Sequence, residues 1–490
     1  MSIQRAAARI DARFVERMYS SLKDEAPAFF SVLETEAPTS VFINPLKDPG
    51  DCFENASSIP WCAQGKYLDR RPDFTFDPLF HAGCYYVMEA SSMFLHHVLA
   101  SLIPQDKPIV ALDLCAAPGG KSMVVLSCLP PGSLLVSNEV NKSRFQTLQY
   151  NIDKWGSPNV IRTCLDPSRM PWTGLFDLIL VDAPCSGEGL FRKDKDARAE
   201  WSPENVMHCS ARQKRILAEA ERLLAPGGMM VYSTCTYSDE ENIHQVRWMA
   251  EQFRLTSKPV AVPDTWHVTK MSAGDLTGYQ FYPHRVKGEG FFCAVLRKTE
   301  ESLVHASTVI KGIRGPKPAF IESPLPKALI DWIQPSSQFG QNHFLESNHG
   351  DLYLLQTANA IDSLQLTHIT YPGTEIGTVK YGSFSHSHIV GRSTAKADPL
   401  TLSRSHLLTF SPSHPLALSH CLNPEIPSIE LDRDQAITYL RKESISVESS
   451  TPGWNVARYK GFALGWLKQT QAGLKNYLPT KYRIIKQQLK

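Results

Sequence analysis

The run LDLCAAPGGKS at 112–122 decides how this chain folds. It joins an apolar, strand-like segment to a helix through a turn that carries two glycines. Two further apolar runs lie downstream, FDLILVDAPC at 176–185 and GMMVYSTCT at 228–236, and each ends near a cysteine. In an open α/β sheet, ligands and chemistry gather at the carboxyl ends of the strands. Cys185, Cys235 and the carboxylate of Asp182 are therefore expected to converge on whatever the turn binds.

Working outward, strands are expected near 109–115, 133–139, 159–165, 176–183 and 228–235, with helices near 119–128, 141–155 and 203–224. Ser202-Pro203 reads as an N-cap followed by proline in the first helical turn. Ser238-x-x-Glu241 has the spacing of a capping box. This βαβ alternation predicts an α/β fold with a mostly parallel, doubly wound, Rossmann-like sheet, which GEGFFCAVLRK (288–298) would close as its last strand. Residues 1–80 read as a mixed α/β lead-in and 81–300 as the core. A helix is expected over Tyr85–Leu99 from its apolar periodicity. KGIRGPKP (311–318) reads as a basic linker, and 319–490, with short apolar runs such as LYLLQ (352–356), as a β-rich accessory region.

A chain of 490 residues is too long for one ordinary core. Hydrophobic content of 42% with 20% charged residues describes a globular protein. The N-terminus lacks the apolar core of a secretory signal, and no run is long and apolar enough for a membrane span. The eleven cysteines form no CxxC pair, which argues against a metal site. Scattered free thiols fit a reducing cytoplasm. The expectation is a cytoplasmic monomer without metal or membrane partner.

Net charge is +2, but unevenly placed. From Ser449 to Lys490 there is no acidic residue, and Trp454, Tyr459, Phe462, Trp466, Tyr477 and Tyr482 alternate with lysines and arginines. This stretch is either a solvated tail with core aromatics or a nucleic-acid surface, with cations for phosphates and rings for stacking.

The chemistry follows from residue types. Glycines in the 115–121 turn allow close backbone approach, and the helix N-terminus behind them favours a negative group such as a carboxylate. Glu139, at the end of the next strand, can accept both hydroxyls of a ribose or cap the following helix. Asp166 can face an adenine amine or begin a turn before Pro167. Together these residues favour an adenosine-type cofactor, and the turn does not match the G-x-G-x-x-G of nicotinamide dinucleotide sites. Arg192, Lys193 and Lys195 are placed to meet a nucleic-acid backbone, or form a solvated cluster.

The strings LDLCAAPGGKS, SNEVNKSR, FDLILVDAPCSGEGLFRKD and VYSTCTYSDEEN resemble the motifs of the NOL1/NOP2/Sun group of RNA (cytosine-5) methyltransferases. The tail GFALGWLKQTQAGLKNYLP is similar to that of a bacterial 16S rRNA methyltransferase in that group. The resemblance implies a class I methyltransferase core using S-adenosyl-L-methionine, an RNA-binding N-terminal region and a PUA-like C-terminal region. It implies that Cys115, Ala116, Ala117, Pro118, Gly119, Gly120 and Lys121 wrap the cofactor's methionine end, Glu139 its ribose and Asp166 its adenine side. Asp182 would lie between cofactor and base, Cys235 would be the nucleophile, and Cys185 the thiol needed for product release. Met88 stands where the family pattern carries glutamine, and Ser122 where threonine is commoner. The implied partner is 16S rRNA or the small ribosomal subunit. A tRNA substrate and a non-catalytic RNA-binding assembly factor are the alternatives.

Overall fold

The computed structural model describes residues 10–53, 55–299, 320–334, 339–347, 351–358, 369–381, 407–447 and 451–486. They divide between two compact units, one built from 1–72, 85–149 and 163–314, the other from 73–84, 150–162 and 315–490. The linker expected at 311–318 lies outside the described residues.

The first unit is organised by a central sheet. Its strands are β1 (Val110–Asp113), β2 (Leu134–Asn138), β3 (Phe176–Asp182), β4 (Leu224–Thr234), β5 (Thr269–Ala273), β6 (Leu276–Phe281) and β7 (Phe291–Arg297). In space they follow the order β5-β6-β7-β4-β3-β1-β2. The pairs β1–β2, β1–β3 and β3–β4 are parallel, whereas β7 runs antiparallel to β4. Ala111, Leu112, Leu135, Val136, Ile179, Leu180 and Val231 are at most 1% exposed, as expected for parallel strands covered on both faces. The helix Pro203–Leu223 starts where expected, with Ser202 accepting from Asn205 N and Pro203 in its first turn. No helix among the described residues is long and apolar enough to cross a membrane.

Three local expectations are corrected. Phe291–Arg297 is a strand, but it lies inside the sheet, because the hairpin of β5 and β6 adds beyond it. Tyr85–Leu99 is not one helix. Tyr85–Val87 is a strand paired with Thr39–Ile43, and the helix spans Phe94–Leu102. Two tyrosines and a valine suit a strand, and the Glu89 carboxylate, accepting from Ser91 N and Ser92 N at 2.8 Å each, starts the helical turns only beyond it. Ser238 makes no cap bond either, since its hydroxyl and the Glu241 carboxylate are drawn to buried partners.

The N-terminal helices Ala12–Leu22 and Ala26–Leu33 belong to this same unit. Phe14, Met18, Leu22, Phe29 and Leu33 bury one face against Phe191, Trp201, Tyr237 and Tyr282. Phe14 lies 4.9 Å from the Phe191 ring and Phe29 5.1 Å from that of Tyr237. These aromatics sit just after the Cys185 and Cys235 motifs, so the lead-in braces both. A four-stranded sheet ordered Ser57–Ile59, Cys62–Leu68, Thr39–Ile43, Tyr85–Val87 completes the region.

The second unit is rich in β-structure. Phe320–Glu322, Gln341–Ser347, Asp351–Thr357, Thr374–Tyr381 and Leu407–Pro412 form one antiparallel sheet. Ser428–Glu430, Gly453–Tyr459, Phe462–Thr470 and Gly473–Asn476 form another. Trp466, 1% exposed, packs with Leu352, Leu354, Ile376 and Val456. The basic aromatic stretch therefore splits: Trp466 and Tyr482 are core, while Tyr477 is 43% exposed and meets the partly exposed Trp454 edge-on at 4.5 Å. Lys468 Nζ stands 4.7 Å above the Trp454 ring.

Candidate active site

β3 and β4 end level. Asp182 is in register with Ser233, and Ala183 N donates to Ser233 O at 2.9 Å. Both chains then turn off the carboxyl edge of the sheet, and two cysteines 50 residues apart meet with Cys185 Sγ 3.1 Å from Cys235 Sγ. Cys235 N also points at Cys185 Sγ, 3.4 Å away. The Cys185 thiol is pushed well above its ordinary range, first by its hydrogen bond with Cys235 and then by burial. Cys185 thus keeps its proton, and either sulfur can be the donor across the pair.

Asp182 closes the cluster. Its Oδ2 accepts from Lys121 Nζ at 2.9 Å and its Oδ1 from Ser233 Oγ at 2.9 Å. Burial opposes charge on Lys121, but the fields of Asp182, Cys235 and Asp113 outweigh it and leave the ammonium's pKa raised. Lys121 Nζ lies 5.5 Å from the Phe291 ring, so β7 contributes a wall.

The turn that carries Lys121 is fixed from below. Leu114 N donates to Leu180 O and Ala116 N to Asn138 O. Gly119 caps the helix Gly120–Cys128 with φ +114°, a conformation side chains resist. A Cβ on Gly120 would come 2.9 Å from the Tyr86 ring, and the buried Met88 lies beside it. Cys115 has its thiol raised by burial and then by the charges of Asp113, Asp182 and Glu139.

Glu139 directly follows β2 with its carboxylate 4% exposed. Oε1 accepts from Asn141 N at 2.9 Å, and Oε2 lies 3.6 Å from Arg144 Nη1. Asp166 is exposed and accepts from Ser168 N at 3.0 Å, the turn-forming arrangement. The structure thus gathers Lys121, Asp182, Cys185 and Cys235, with Cys115–Gly120 alongside, and leaves Glu139 at the end of β2 and Asp166 capping the turn Pro167–Arg169 after the strand Val160–Thr163. Arg192 does not face outward. Its guanidinium bonds Thr35 Oγ1 at 2.8 Å and Glu36 O at 2.7 Å, tying down the N-terminal helices. Lys193 and Lys195 are exposed.

Three carboxylates were missed in the sequence. Asp113, at the end of β1, is fully buried. Ser122 Oγ donates to its Oδ2 at 2.6 Å, while Oδ1 has no hydrogen-bond partner. Burial pushes it up to about 7. Glu188 and Glu241, both wholly buried, sit just beyond the two cysteines and bond across to each other's loop. A lone acid between two glycines in GEG was the available signal for Glu188, whereas in DEEN, with three consecutive acids, nothing singles out Glu241. Among the described residues no group of three metal-ligating side chains is assembled.

The comparisons with known proteins match three segments of the chain. Residues 99–297 match the family model described as 16S rRNA methyltransferase RsmB/F. Residues 10–90 match the N-terminal domain of 16S rRNA methyltransferase RsmF, and 426–484 its PUA domain. The ribosomal RNA small subunit methyltransferase F of Aliivibrio fischeri is 35% identical over 292 residues, 56% of this chain and 60% of that protein. The protein of the same name from Pectobacterium atrosepticum is 33% identical over 318 residues, 60% of this chain and 63% of its own length. The alignments thus span a little over three fifths of these relatives. Among solved structures, a methyltransferase homologue from Pyrococcus horikoshii superposes with a TM-score of 0.50 at 26% identity, covering 59% of this chain and 95% of that one.

Proposed function

Because the chain belongs to the RsmB/F methyltransferase family, we propose that it methylates carbon 5 of a cytidine in 16S rRNA through a covalent cysteine adduct, with S-adenosyl-L-methionine as donor. The observation that carries this reading is the Cys185–Cys235 pair, 3.1 Å apart, beside the Asp182–Lys121 ion pair. The donor supplies an electrophilic methyl group when bound. Cys115–Lys121, Asp166 and Asp182 would hold it together with Glu139, and the buried Asp113 Oδ1, without a hydrogen-bond partner, leaves a polar acceptor at the base of that turn.

Carbon 5 of cytosine is a weak nucleophile. A thiolate adding to carbon 6 makes it enamine-like, which is covalent catalysis. Cys235 forms that bond, and Asp182 hydrogen-bonds the ring where charge develops. After methyl transfer the carbon-5 proton must leave before the sulfur–carbon bond can break. Cys185, 3.1 Å from Cys235, would orient a water that takes this proton, after which the sulfur–carbon bond breaks and its electron pair returns to Cys235. The target base must first leave its stack. The region 1–80 and the region 319–490 would present the RNA to the 81–300 core in the cytoplasm.

The two thiols fail in opposite ways. With labelled donor and 16S rRNA, or small subunits, Cys235→Ala should be inactive and never retain RNA through a denaturing gel. Cys185→Ala should accumulate a covalent enzyme–RNA adduct, and the double mutant none. Full activity in both single mutants would rule out the covalent mechanism, and transfer to tRNA alone would replace the substrate.

A further inference from the structure

Directly after each cysteine comes a hydroxyl residue, Ser186 after Cys185 and Thr236 after Cys235. Their oxygens are 2.9 Å apart. Ser186 Oγ also bonds Glu241 Oε2, and Thr236 Oγ1 lies 2.7 Å from Glu188 Oε2. The result is one buried chain, Glu241–Ser186–Thr236–Glu188, in which each carboxylate belongs to the loop opposite the hydroxyl it bonds. It is the polar seam between the two thiol loops.

Counting protons shows that this seam is incomplete with both carboxylates ionised. Three hydrogen bonds need three hydrogens, and two hydroxyls supply two. Glu188 has no place for the third. Its Oε1 accepts from Trp201 Nε1 and Ser238 Oγ, its Oε2 from Thr236 Oγ1 and Tyr237 N. All four of its acceptor positions are used. Glu241 Oε1 is likewise filled, by Ser186 N at 3.0 Å and Gln213 Nε2 at 2.9 Å. Its Oε2 meets only Ser186 Oγ, an atom able to accept as well as donate. The hydrogens then run in one direction, from Glu241 to Ser186 to Thr236 to Glu188.

We propose that Glu241 is a positioning residue of the methyltransferase site that acts as a neutral carboxylic acid, its proton completing the relay that holds Cys185 against Cys235. The proposal rests on the functional reading above. The groups facing Glu241 agree with it: Glu188, Cys185, Cys209 and Tyr232 are all acids whose charge would be opposed by a second anion. Burial raises Glu241 to about 7 against the hydrogen bonds of Ser186 and Gln213, which lower it, and the charge of Glu188 adds to the rise. An ionised Glu241 would claim the Ser186 hydrogen for itself and leave Ser186 and Thr236 facing each other with none between them.

Opposite responses of the two glutamates to the same substitution test this. Glu241→Gln keeps a donor where the acid proton was, and should retain methyl transfer while shifting the alkaline limb of its pH profile upward. Glu241→Ala should lose turnover at unchanged cofactor affinity. Glu188→Gln puts an amide where only acceptors fit, and should lower turnover at least about tenfold, the equivalent of one orphaned buried donor. Glu241→Gln as impaired as Glu241→Ala, or Glu188→Gln as active as Glu241→Gln, would overturn the assignment. An infrared difference spectrum between wild type and Glu241→Gln reads the proton without any substrate. A protonated-carboxyl band at neutral pH supports the relay even if no rRNA methylation is found, and its absence refutes the relay even if methylation is robust.

Discussion

Glu139→Ala separates the proposed ribose contact from the structural role the residue already has. In the folded chain its carboxylate accepts from Asn141 N at 2.9 Å, in front of the helix Lys142–Trp155. Losing a capping acceptor of this kind costs about 0.5–2 kcal/mol of stability. A hydrogen bond to a charged group contributes about 1.5–3 kcal/mol. The Asn141 N–H and Arg144, 3.6 Å away, compete for the carboxylate and reduce what two ribose hydroxyls gain from it. The net expectation is a loss of about 1.5–3 kcal/mol in binding, or roughly a 10- to 150-fold rise in the Kd for S-adenosyl-L-methionine. Titration calorimetry gives the Kd, and urea denaturation without ligand gives the separate stability loss. Glu139→Gln should fall between wild type and alanine, since one acceptor oxygen survives. A folded alanine mutant that binds the cofactor with unchanged Kd would refute the ribose assignment and leave Glu139 as a cap.

Lys468→Ala and Trp454→Ala should weaken RNA binding with cofactor affinity unchanged. The lysine change should lower the slope of log K against log salt by about 0.7–0.9 if Lys468 meets one phosphate, and equal slopes would remove it from the interface. Lys121→Met should strip Asp182 of its cation and reduce turnover by at least about tenfold, and unimpaired single-turnover transfer would count against a role for that ion pair. Glu289, 2% exposed and with neither carboxylate oxygen hydrogen-bonded, is pushed from 4.5 up to about 7 by burial. The folded state then holds more protons than the unfolded one between these values, so stability falls as pH rises through that window. Glu289→Gln should remove this fall and be more stable than wild type at pH 8 by on the order of 1–3 kcal/mol, with a smaller difference at pH 5. Parallel urea-stability curves for the two proteins against pH would contradict it.

What was legible in the sequence was local and repeated. The apolar runs at β1 to β4 announce themselves because parallel strands covered on both faces are apolar throughout, and Ser202-Pro203 carries its own stereochemistry. Misreadings occurred where a distant partner outweighed a local pattern. Ser238 and Glu241 have capping-box spacing, yet Glu188 takes the serine hydroxyl while Ser186 and Gln213 take the glutamate. Arg192 reads as a surface cation until residues 35 and 36, more than 150 positions earlier, supply its acceptors. Tyr85–Leu99 has helical periodicity, but Thr39–Ile43 offers the first three residues a strand edge.

The glycine-rich turn and the two thiols stood out in the sequence for another reason: their residue types have few competing uses. Two cysteines after two strands, with an aspartate at one strand end, define a chemistry once both strands finish at the same sheet edge. Register does the rest, because pairing Asp182 with Ser233 brings the following loops level. What the motif could not express is how those loops are held. That task falls to Glu188, Glu241, Ser186 and Thr236, which bond across the gap in pairs some 50 residues apart. Each carboxylate is tolerable in the interior only because the opposite loop supplies its donors, and each loop keeps its shape only because the carboxylate is there. Removing either side leaves buried polar groups unpaired next to a thiol. The acidic residues of GEG and DEEN are thereby tied to the cysteines as closely as the strands that carry them.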